Sequence, residues 1–472
     1  MSDIFNRQPA RSFLRERETY VPRKKLVDVI ESRSSPLTHY AEAMPLPTGV
    51  RPEQAIEVVA GGCLPKNDWI LTNPNEFTPI DRLSEGVTVY SVCGEKKDEI
   101  TKAKATGPWS AGIMPVYRLT TRPDVRGCNS KSYEIEASFN HPFLVKRGYY
   151  RWYVPAENLT VGQRMVVLNC LPHGDPYSLP DVLSGYPSRI KLRIPRFTSE
   201  KMMWLFGYWI GDGYLKPEEV VFANKKSIVI RNRLIEYGKE LFDIKGYSEK
   251  DRTRFHSKYL VKLWRSLGLE GHASTKKVPQ WVFTVTPQER TQFILGYLAA
   301  DANKRGENVW RASSINHELL KMIRDLARIT GFAAYSICSR DKNTVGKIGD
   351  RTIVPTGKEN NLTLRYMGPQ PLRCDRLTEK ELIGNKECFD IQVTGPTKCI
   401  HSFIANGFVV HNTWARGIAE GVCGPGYAGF VAGSTEWQAC VYNVSHRVAA
   451  RTLGLSWTPP TTPPSRPRRR GP

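Results

Sequence analysis

The sequence predicts a mainly β domain that is split into two halves, with an α+β domain inserted between them and a short segment at each end. Short runs of β-branched and aromatic residues, separated by turn formers, recur from Asp68 to Val167. Helical periodicity replaces them between about 200 and 330. Strand-like runs return at 388–393 and 402–410. A β pattern that stops, gives way to helices and then resumes is typical of an inserted domain.

Length and charge limit the possible classes of protein. The 472 residues are too many for one ordinary core, so we expect about two to four domains. The formal net charge is +22. Such an excess of Lys and Arg indicates a polyanionic partner, most often nucleic acid, because phosphate contacts reward cations. A basic protein without such a partner is the alternative.

Targeting and cysteine patterns indicate a compartment. Residues 1–17 are polar and charged, unlike a signal peptide, and no window approaches the ~18 apolar residues of a membrane span. The ten cysteines include no C-x-x-C pair, which argues against zinc fingers and a disulfide framework. We therefore expect a cytoplasmic protein without membrane contact, in which Cys63 is a reduced thiol.

The elements follow in chain order. Residues 1–62 begin polar and basic and end in a Val-Val pair and a Gly-Gly pair, which predicts a loop of a separate domain. Strands are predicted at 69–72, 87–90, 116–120, 133–137 and 164–167. A Pro-rich connection over about 170–200 precedes helices predicted at 202–210, 230–242, 288–300 and 316–330. Residues 458–472 are Pro-rich and basic, a composition typical of disorder.

The tripeptide His411-Asn412-Thr413 is the first indication in the sequence of a reaction at the backbone. Asn412 can close its side-chain amide onto its own carbonyl and so cut the chain after itself. His411 could move the proton that this step needs, and Thr413 offers an oxygen nucleophile at the cut. On its own the tripeptide recurs by chance. It gains meaning only with a second nucleophile upstream, for which Cys63 is the candidate.

These residues and their neighbours resemble an intein, the self-excising element with the Hint (hedgehog/intein) fold. The matching blocks are Cys63-Leu64-Pro65, Ser138-x-x-His141, Cys388-Phe389-Asp390 and residues 401–412. Ser138 stands in place of the more usual Thr, and Asn67-Asp68 stand where the family more often has a Gly-Asp-Thr-like run. The resemblance implies a splicing domain made of 63–170 and 372–412, between host segments 1–62 and 413–472.

The resemblance also implies roles at the upstream junction. Cys63 would attack the Gly62 carbonyl and convert the amide into a thioester. His141 would be the acid that protonates the leaving nitrogen, and Ser138 would help to steady the oxyanion. Asp390 would orient or activate the nucleophiles. The alternatives are a buried structural thiol at Cys63 and a core histidine at His141.

At the downstream junction, the resemblance implies that the Thr413 hydroxyl takes over the acyl group. Asn412 then cyclises, assisted by His411 and His401, and releases the element. The chain would finally be rejoined between Gly62 and Thr413. Splicing of this kind needs no cofactor, since intramolecular attack at high effective molarity replaces an external energy source.

An internal repeat marks the inserted domain. Residues 205–213 and 293–302 both read G-Y-x-x-x-D followed by a small residue. Gly207 and Gly211 are four apart and share one helix face, as do Gly296 and Ala300, so the two helices can pack backbone to backbone. Each repeat ends in an aspartate at the carboxyl end of its helix, where the helix dipole disfavours negative charge. The paired acids, Asp212 and Asp301, therefore imply a divalent metal.

The repeat resembles the LAGLIDADG homing endonucleases in their two-motif, single-chain form, over roughly 195–370 within an inserted domain at 171–371. This implies that Asp212 and Asp301 hold Mg²⁺ for phosphodiester cleavage. Lys276 matches a lysine near the scissile phosphate, and Lys342 or Lys347 could be its partner. Ala302 replaces the usual closing glycine, which predicts some strain at that helix end.

The resemblance further implies a monomer that binds double-stranded DNA, with the host gene lacking the element as the target. The residues expected at DNA phosphates are Arg189, Lys191, Arg193, Arg196, Lys225, Lys226, Arg231, Arg233, Arg252, Arg254 and Lys258. Three alternatives stay open: an inserted domain that folds but no longer cuts, a Hint element that cleaves without ligating, and a DNA-binding module without nuclease activity.

Overall fold

The computed structural model describes residues 62–93, 97–125, 130–184, 192–224, 227–249, 251–341, 346–348, 351–353, 358–394 and 402–411. Apart from Gly62, the predictions for both flanking segments lie outside these residues. The same holds for the predicted site residues His401, Asn412, Thr413, Arg189, Lys191, Lys225 and Lys226 and for Lys342.

The first part of the chain is built from strands. They are β1 (Leu64–Pro65), β2 (Trp69–Thr72), β3 (Glu76–Pro79), β4 (Thr88–Cys93), β5 (Glu99–Pro123), β6 (Glu134–Ser138), β7 (Pro142–Arg147), β8 (Tyr150–Pro155) and β9 (Arg164–Leu168). Single 3-10 turns at Ile80–Arg82 and Ala156–Asn158 connect some of them. The predicted β texture of this region is confirmed.

The inserted part repeats one pattern, a helix that leads directly into a hairpin and is followed by a second helix. Its first half contains α1 (Glu200–Asp212), β10 (Gly213–Leu215), β11 (Glu219–Ala223), α2 (Ile228–Phe242), β12 (Gly246–Ser248), β13 (Arg252–His256) and α3 (Lys258–Ser266). Its second half contains α4 (Pro287–Asp301), β14 (Ala302–Gly306), β15 (Val309–Ser314), α5 (His317–Arg328), β16 (Phe332–Ala334), β17 (Cys338–Asp341), β18 (Gly346–Ile348), β19 (Arg351–Ile353) and β20 (Lys358–Tyr366).

The last strands return to the first part of the chain. They are β21 (Leu372–Thr394), β22 (Ser402–Ala405) and β23 (Phe408–His411). With β1–β9 they form one 12-stranded sheet in the order β1-β21-β5-β4-β2-β22-β23-β9-β7-β8, with β3 on β2 and β6 on β5. The inserted part has its own sheets, β10-β11-β13-β12 and β14-β15-β20-β16, with β17 paired to β20. The described chain is mainly β.

Alternation along the strands gives the large sheet two apolar faces, because successive side chains point to opposite sides. Ile70, Val145 and Val167 lie in a core made of the β strands alone. Their neighbours Leu71 and Leu144 lie in a second core, which continues into the helices of the inserted part. The inserted part is therefore packed on the outer face of the sheet rather than tethered beside it.

Helix ends and faces follow the sequence rules. All five apolar residues that predicted the amphipathic helix near 316–330 are buried: Leu319, Leu320, Ile323, Leu326 and Ile329. The Asn316 side chain accepts a hydrogen bond from the Leu319 N–H at the start of α5. Thr286 and Glu289 form a capping box at the start of α4. Within the described ranges, no helix is both long and apolar enough to cross a membrane.

Candidate functional site

The peptide group at Cys63 is held by the end of β6. The Cys63 N–H donates to Ser138 Oγ at 2.8 Å, and the Ser138 N–H donates to the Cys63 carbonyl at 3.0 Å. Ser138 Oγ in turn donates to Asn140 Oδ1 at 2.8 Å. The hydroxyl thus contacts the nitrogen of the Gly62–Cys63 bond. This differs from the expectation that Ser138 steadies an oxyanion on Gly62, because its only donor is directed at Asn140.

Gly62 lies directly against the backbone of His141. A Cβ atom at Gly62 would stand 2.3 Å from His141 Cα and 2.9 Å from both the His141 nitrogen and Pro142 Cδ. The clash is mainly with backbone atoms, which cannot change position by a rotamer change as a flexible side chain could. A residue other than glycine would therefore displace the chain before Cys63 from its present position.

The Cys63 side chain is buried beside sulfur and aliphatic groups. Its Sγ lies 3.4 Å from Met114 Sδ, and Val116 and Cys388 complete the small cluster. Burial, followed by the negative charge of Asp390, raises the pKa of the Cys63 thiol well above its usual value. The structure therefore holds Cys63 as a protonated thiol at neutral pH, not as a thiolate.

Asp390 reaches this cluster through the pairing of β1 with β21. Leu64 pairs with Phe389 and Pro65 with Cys388, so Cys63 falls at the level of Asp390 in the continuing register. Asp390 is buried, and its Oδ1 accepts a hydrogen bond from the Ile391 N–H at 2.8 Å. A carboxylate is thus placed next to the thiol, on a strand that the sequence separates from it by most of the chain.

His141 is fully buried between aromatic rings. Its ring lies edge-on to Phe143 at 5.5 Å and to Phe403 at 6.3 Å between centroids. Neither ring nitrogen has a hydrogen-bond partner among the residues that the structure describes. Burial lowers the pKa of His141 to about 4, opposed by the nearby Gly62 backbone. The imidazole is therefore neutral at pH 7, and any proton it gives must come from a neutral N–H.

The downstream junction approaches the same place along β23. Val410 pairs with Phe143 of β7, which brings His411 to the Pro142 end of that strand. His411 also pairs with Ser402, and its ring lies 4.6 Å from that of Tyr153. Residues 138–143 thus contact Gly62 and Cys63 on one side and the end of β23 on the other. We call Gly62, Cys63, Ser138, His141, Asp390 and His411 the junction site.

The repeated motifs form a second candidate site, where α1 and α4 pack with their backbones in contact. A Cβ atom at Gly207 would stand 1.9 Å from the Phe293 carbonyl oxygen, and one at Gly296 would stand 2.1 Å from that of Trp204. The predicted backbone-to-backbone packing of the two helices is confirmed. Ala302 has φ −119° and ψ 151°, extended backbone that any residue adopts, so the expectation of strain there is wrong.

Packing of this kind brings Asp212 and Asp301 together at the carboxyl ends of the two helices. A Cβ atom at Gly211 would lie 3.4 Å from Asp301 Oδ2. Burial and then the charges of Asp212 and Asp301 raise the pKa of Tyr208 and Tyr297 above the ordinary value. We call Asp212 and Asp301 the acid pair. Mg²⁺ is usually held by one or two carboxylates together with water and phosphate oxygens, so this donor set fits Mg²⁺.

Lys276 lies beside the acid pair but is turned toward backbone. Its Nζ donates to the carbonyl oxygens of Trp209, Ile210 and Gly213 at 3.0, 3.0 and 2.6 Å. Burial lowers the pKa of Lys276 to about 8, opposed by the charges of Asp301 and Asp212. Because an ammonium has three donors, these contacts occupy it fully. In this structure Lys276 closes the end of α1 instead of presenting its charge to a phosphate.

The described basic residues of the predicted DNA surface differ in their surroundings. Arg254 contacts Glu219 at 3.2 Å and Glu249 at 2.6 Å, and Arg252 contacts Glu249 at 3.0 Å. Their charges are compensated by neighbouring carboxylates. The other described members are Arg193, Arg196, Arg231, Arg233 and Lys258; of these, Arg196, Arg233 and Lys258 lie over the aromatic rings of Phe197, Trp204 and Tyr259.

Sequence reasoning missed two residues that contact the junction site. Asn140 orients the Ser138 hydroxyl, and Met114 contacts the Cys63 sulfur. Burial raises the pKa of the Cys388 thiol, which shares this cluster, to about 12. Asn140 stands between the two quoted residues of its block, which was an available signal. Nothing in the sequence indicates Met114, because it lies on β5, which is distant from Cys63 in the sequence.

Comparison with protein-family models gives no match. Among curated proteins, the chain is 24% identical over 411 residues to an iron-sulfur cluster assembly SufBD family protein of Mycobacterium leprae, covering 76% of this chain and 45% of that protein. It is 31% identical over 232 residues to a polypeptide of the A-type ATP synthase of Pyrococcus abyssi, covering 48% and 22%. A replicative DNA helicase DnaB of Rhodothermus marinus is 23% identical over 311 residues, covering 61% and 30%. The chain spans less than half the length of these curated relatives.

Solved structures that resemble this chain include inteins. A G-1F mutant of the Ssp DnaB mini-intein variant M86 has a TM-score of 0.28 at 11% identity, covering 75% of this chain and 99% of that one. The PabCDC21-1 intein has a TM-score of 0.19 at 18% identity, covering 23% and 74%. These scores are too low to establish a shared fold.

Proposed function

We propose that this chain splices itself, excising residues 63–412 and joining Gly62 to Thr413. The observation that carries the proposal is the contact of residues 138–143 with both junctions. Gly62 packs on the His141 backbone, and β23 runs along β7 up to His411. Asn412 follows His411 directly in the sequence.

The first step is an N-to-S acyl shift. Cys63 Sγ attacks the Gly62 carbonyl carbon, the C–N bond to Cys63 breaks, and the nitrogen gains a proton. The high pKa of the Cys63 thiol requires that the thiol proton leaves as the sulfur attacks. Asp390, next to the thiol, is the group suited to accept it, because the transfer creates no additional buried charge.

The leaving nitrogen is protonated from the side of the site that Ser138 and His141 occupy. Ser138 Oγ already holds the Cys63 N–H at 2.8 Å, which fixes the orientation of this peptide. His141 is neutral at pH 7 because burial lowers its pKa to about 4, so it gives its N–H proton to the leaving nitrogen only as its other ring nitrogen takes one up. The net transfer is then the Cys63 thiol proton, by way of Asp390, to the nitrogen, and no imidazolate forms. The following steps use Thr413 as the second nucleophile and Asn412, assisted by His411 and His401, for release.

The curated relatives support an element that moves between hosts. Their names describe iron-sulfur cluster assembly, an ATP synthase and a DNA helicase, which share no activity. Each match covers less than half of the relative. Matches to such different proteins are expected of an inserted element that removes itself and leaves each host intact.

A direct test compares products after expression. The unmodified chain should give a ligated product of residues 1–62 and 413–472 together with a separate species of residues 63–412, identified by intact mass. Cys63→Ala with Asn412→Ala should leave only full-length chain. Two cleaved ends without any ligated product would indicate a cleavage-only element and contradict splicing.

We infer that the inserted domain cuts double-stranded DNA as a monomer, with the host gene lacking the element as target. The acid pair at the carboxyl ends of α1 and α4 supports this, since two adjacent carboxylates need neutralisation. Asp212 and Asp301 would hold Mg²⁺, which when bound activates water and stabilises the charge of the leaving oxygen. The chain's own contribution is the backbone packing of Gly207 and Gly296, which fixes the distance between the carboxylates.

The test is cleavage of plasmids that carry the joined host sequence, with Mg²⁺ or with EDTA. Mg²⁺-dependent double-strand cuts that Asp301→Asn abolishes would support the proposal. Retained DNA binding without cutting would indicate the DNA-binding alternative. We place both activities in the cytoplasm, where the Cys63 thiol stays reduced.

A further inference from the structure

A side-chain clasp joins the segment after Cys63 to the hairpin that ends in His411. Asn406 Nδ2 donates to Asp68 Oδ1 at 2.5 Å, although the two residues are 338 positions apart. Asn406 Oδ1 accepts from the Trp69 N–H at 2.9 Å, and the Asn406 N–H donates to the Trp69 carbonyl at 2.8 Å. One side chain thereby bonds to two consecutive residues at the start of β2. We call this contact of Asn406 with Asp68 and Trp69 the Asp68–Asn406 clasp.

The turn itself does not require this clasp. Asn406 and Gly407 have φ of 46° and 87°, so the hairpin between β22 and β23 needs two residues that tolerate the left-handed region. Glycine at 406 would satisfy that requirement equally well. The Asn406 side chain is therefore used for something that the turn geometry alone does not explain.

Both partners are close in sequence to the junctions. Asp68 follows Cys63 after one short turn, in which the Asp68 N–H donates to the Pro65 carbonyl at 3.2 Å. Asn406 precedes β23, whose last residue is His411. Movement of either segment relative to the other would break the clasp.

The geometry of the clasp does not require a charge on Asp68. Asp68 is 8% exposed, and its Oδ2 is buried with no hydrogen-bond partner in the described stretches of the chain. Burial raises the pKa of Asp68 well above its usual value; the Asn406 contact and the charge of Lys386 oppose this shift, and the charge of Glu136 adds to it. Asn406 uses only one acceptor oxygen of Asp68, so an amide at position 68 would serve as well.

We propose that Asp68 and Asn406 are a positioning pair that keeps the two junctions in register, so that acyl transfer and release occur in one assembled site. The inference rests on the proposed splicing function and adds residues that do not touch the reacting atoms. Loss of the clasp lets each junction react alone. The products then shift from ligated chain to fragments cut at a single junction.

The experiment compares the full-length chain with three variants. Asp68→Asn keeps an acceptor and should keep the ratio of ligated to singly cut products within about twofold. Asp68→Ala and Asn406→Gly remove the contact, the second while preserving the turn, and should lower that ratio at least about fivefold, the factor expected for one lost hydrogen bond. Thermal melting checks that all variants fold.

The outcomes separate failure of the clasp from failure of splicing. Ligated product from the unmodified chain with an unchanged ratio in Asp68→Ala and Asn406→Gly would overturn the clasp alone. If the unmodified chain gives no ligated product, amide hydrogen exchange in the Cys63→Ala, Asn412→Ala background decides. Faster exchange of residues 402–411 in Asn406→Gly than in Asp68→Asn supports the clasp, and equal exchange overturns it.

Discussion

At the junction site, the side chains of Cys63 and His141 are buried and held neutral, whereas the acid pair brings two carboxylates together in partly exposed positions. Burial raises the pKa of Cys63 and lowers that of His141, so neither carries charge at neutral pH. At the ends of α1 and α4, burial and then the charges of Asp212 and Asp301 raise the pKa of Tyr208 and Tyr297. A reaction within one backbone is accelerated by holding the reacting groups in position, and these groups need no charge. Cutting a polyanion needs adjacent negative side chains that hold a metal ion.

The junction site should be most sensitive to a change that displaces its groups and leaves their charges unaltered. Gly62→Ala places a methyl group 2.3 Å from His141 Cα, against backbone that cannot yield. We expect the ligated product to disappear, as measured by intact mass. Gly306→Ala is the matched control, because a Cβ atom there meets nothing within 4 Å. Normal splicing of Gly62→Ala would contradict the described contact.

DNA cutting should depend on the charge of the acid pair as strongly as splicing depends on the position of groups at the junction site. Asp212→Asn keeps shape and removes one negative charge, so Mg²⁺-dependent DNA cutting should fall at least about a hundredfold. Splicing measured on the same preparation should be unchanged. Asp341→Asn, an exposed acid on β17, should cut like the unmodified chain. A parallel loss of both activities would mean that the variant damages the fold.

The pH dependence of the free energy of unfolding tests whether His141 is neutral in the folded chain. Its pKa is about 4 in the folded chain and about 6.5 when unfolded, so the unfolded state binds more protons between these values. Stability is therefore complete above about pH 6.5 and falls toward pH 4, by about 3 kcal/mol in all. Urea unfolding of the Cys63→Ala, Asn412→Ala chain should show this loss, and His141→Leu should reduce it. Equal slopes in both chains would contradict a buried neutral imidazole.

Asp68 should show the opposite sign in the pH dependence of stability. Its pKa is raised in the folded state, so its contribution to stability is complete below about pH 3.9 and is lost as pH rises through the folded pKa. Asp68→Asn should therefore gain stability over the unmodified residue at pH 7 and lose that advantage at pH 4. Urea midpoints at the two pH values provide the measurement. An advantage that is independent of pH would contradict a buried carboxyl that is neutral at low pH.

The parts of the fold that depend on local pattern were predictable. Residues 69–72 form β2 as predicted, and the four predicted helices all exist, within a few residues of their predicted bounds. The long pair β5 and β21 was not predicted as continuous, because glycines and prolines interrupt the alternation and the partner strand is distant in sequence. Helix α3 was missed, since nine residues give too little periodicity.

At the candidate sites, the sequence identified residue types but not the atoms they contact. Cys63, His141 and Asp390 were found because each stands in a recognisable block. That Ser138 would hold the Cys63 nitrogen, and that Lys276 would cap α1, depends on how strands and helices from distant runs meet. The same holds for the Asp68–Asn406 clasp, which only pairing of β2 with the last hairpin brings together.

Self-splicing is tested most sharply with the purified chain alone. Unfolded full-length chain is diluted into reducing buffer with EDTA, and intact masses are followed over time at several protein concentrations. Self-splicing predicts a ligated product of residues 1–62 and 413–472 and a released segment 63–412, appearing at a rate that does not depend on concentration. A chain that stays whole, or ligation that speeds up with concentration, would contradict a backbone rearrangement within one molecule.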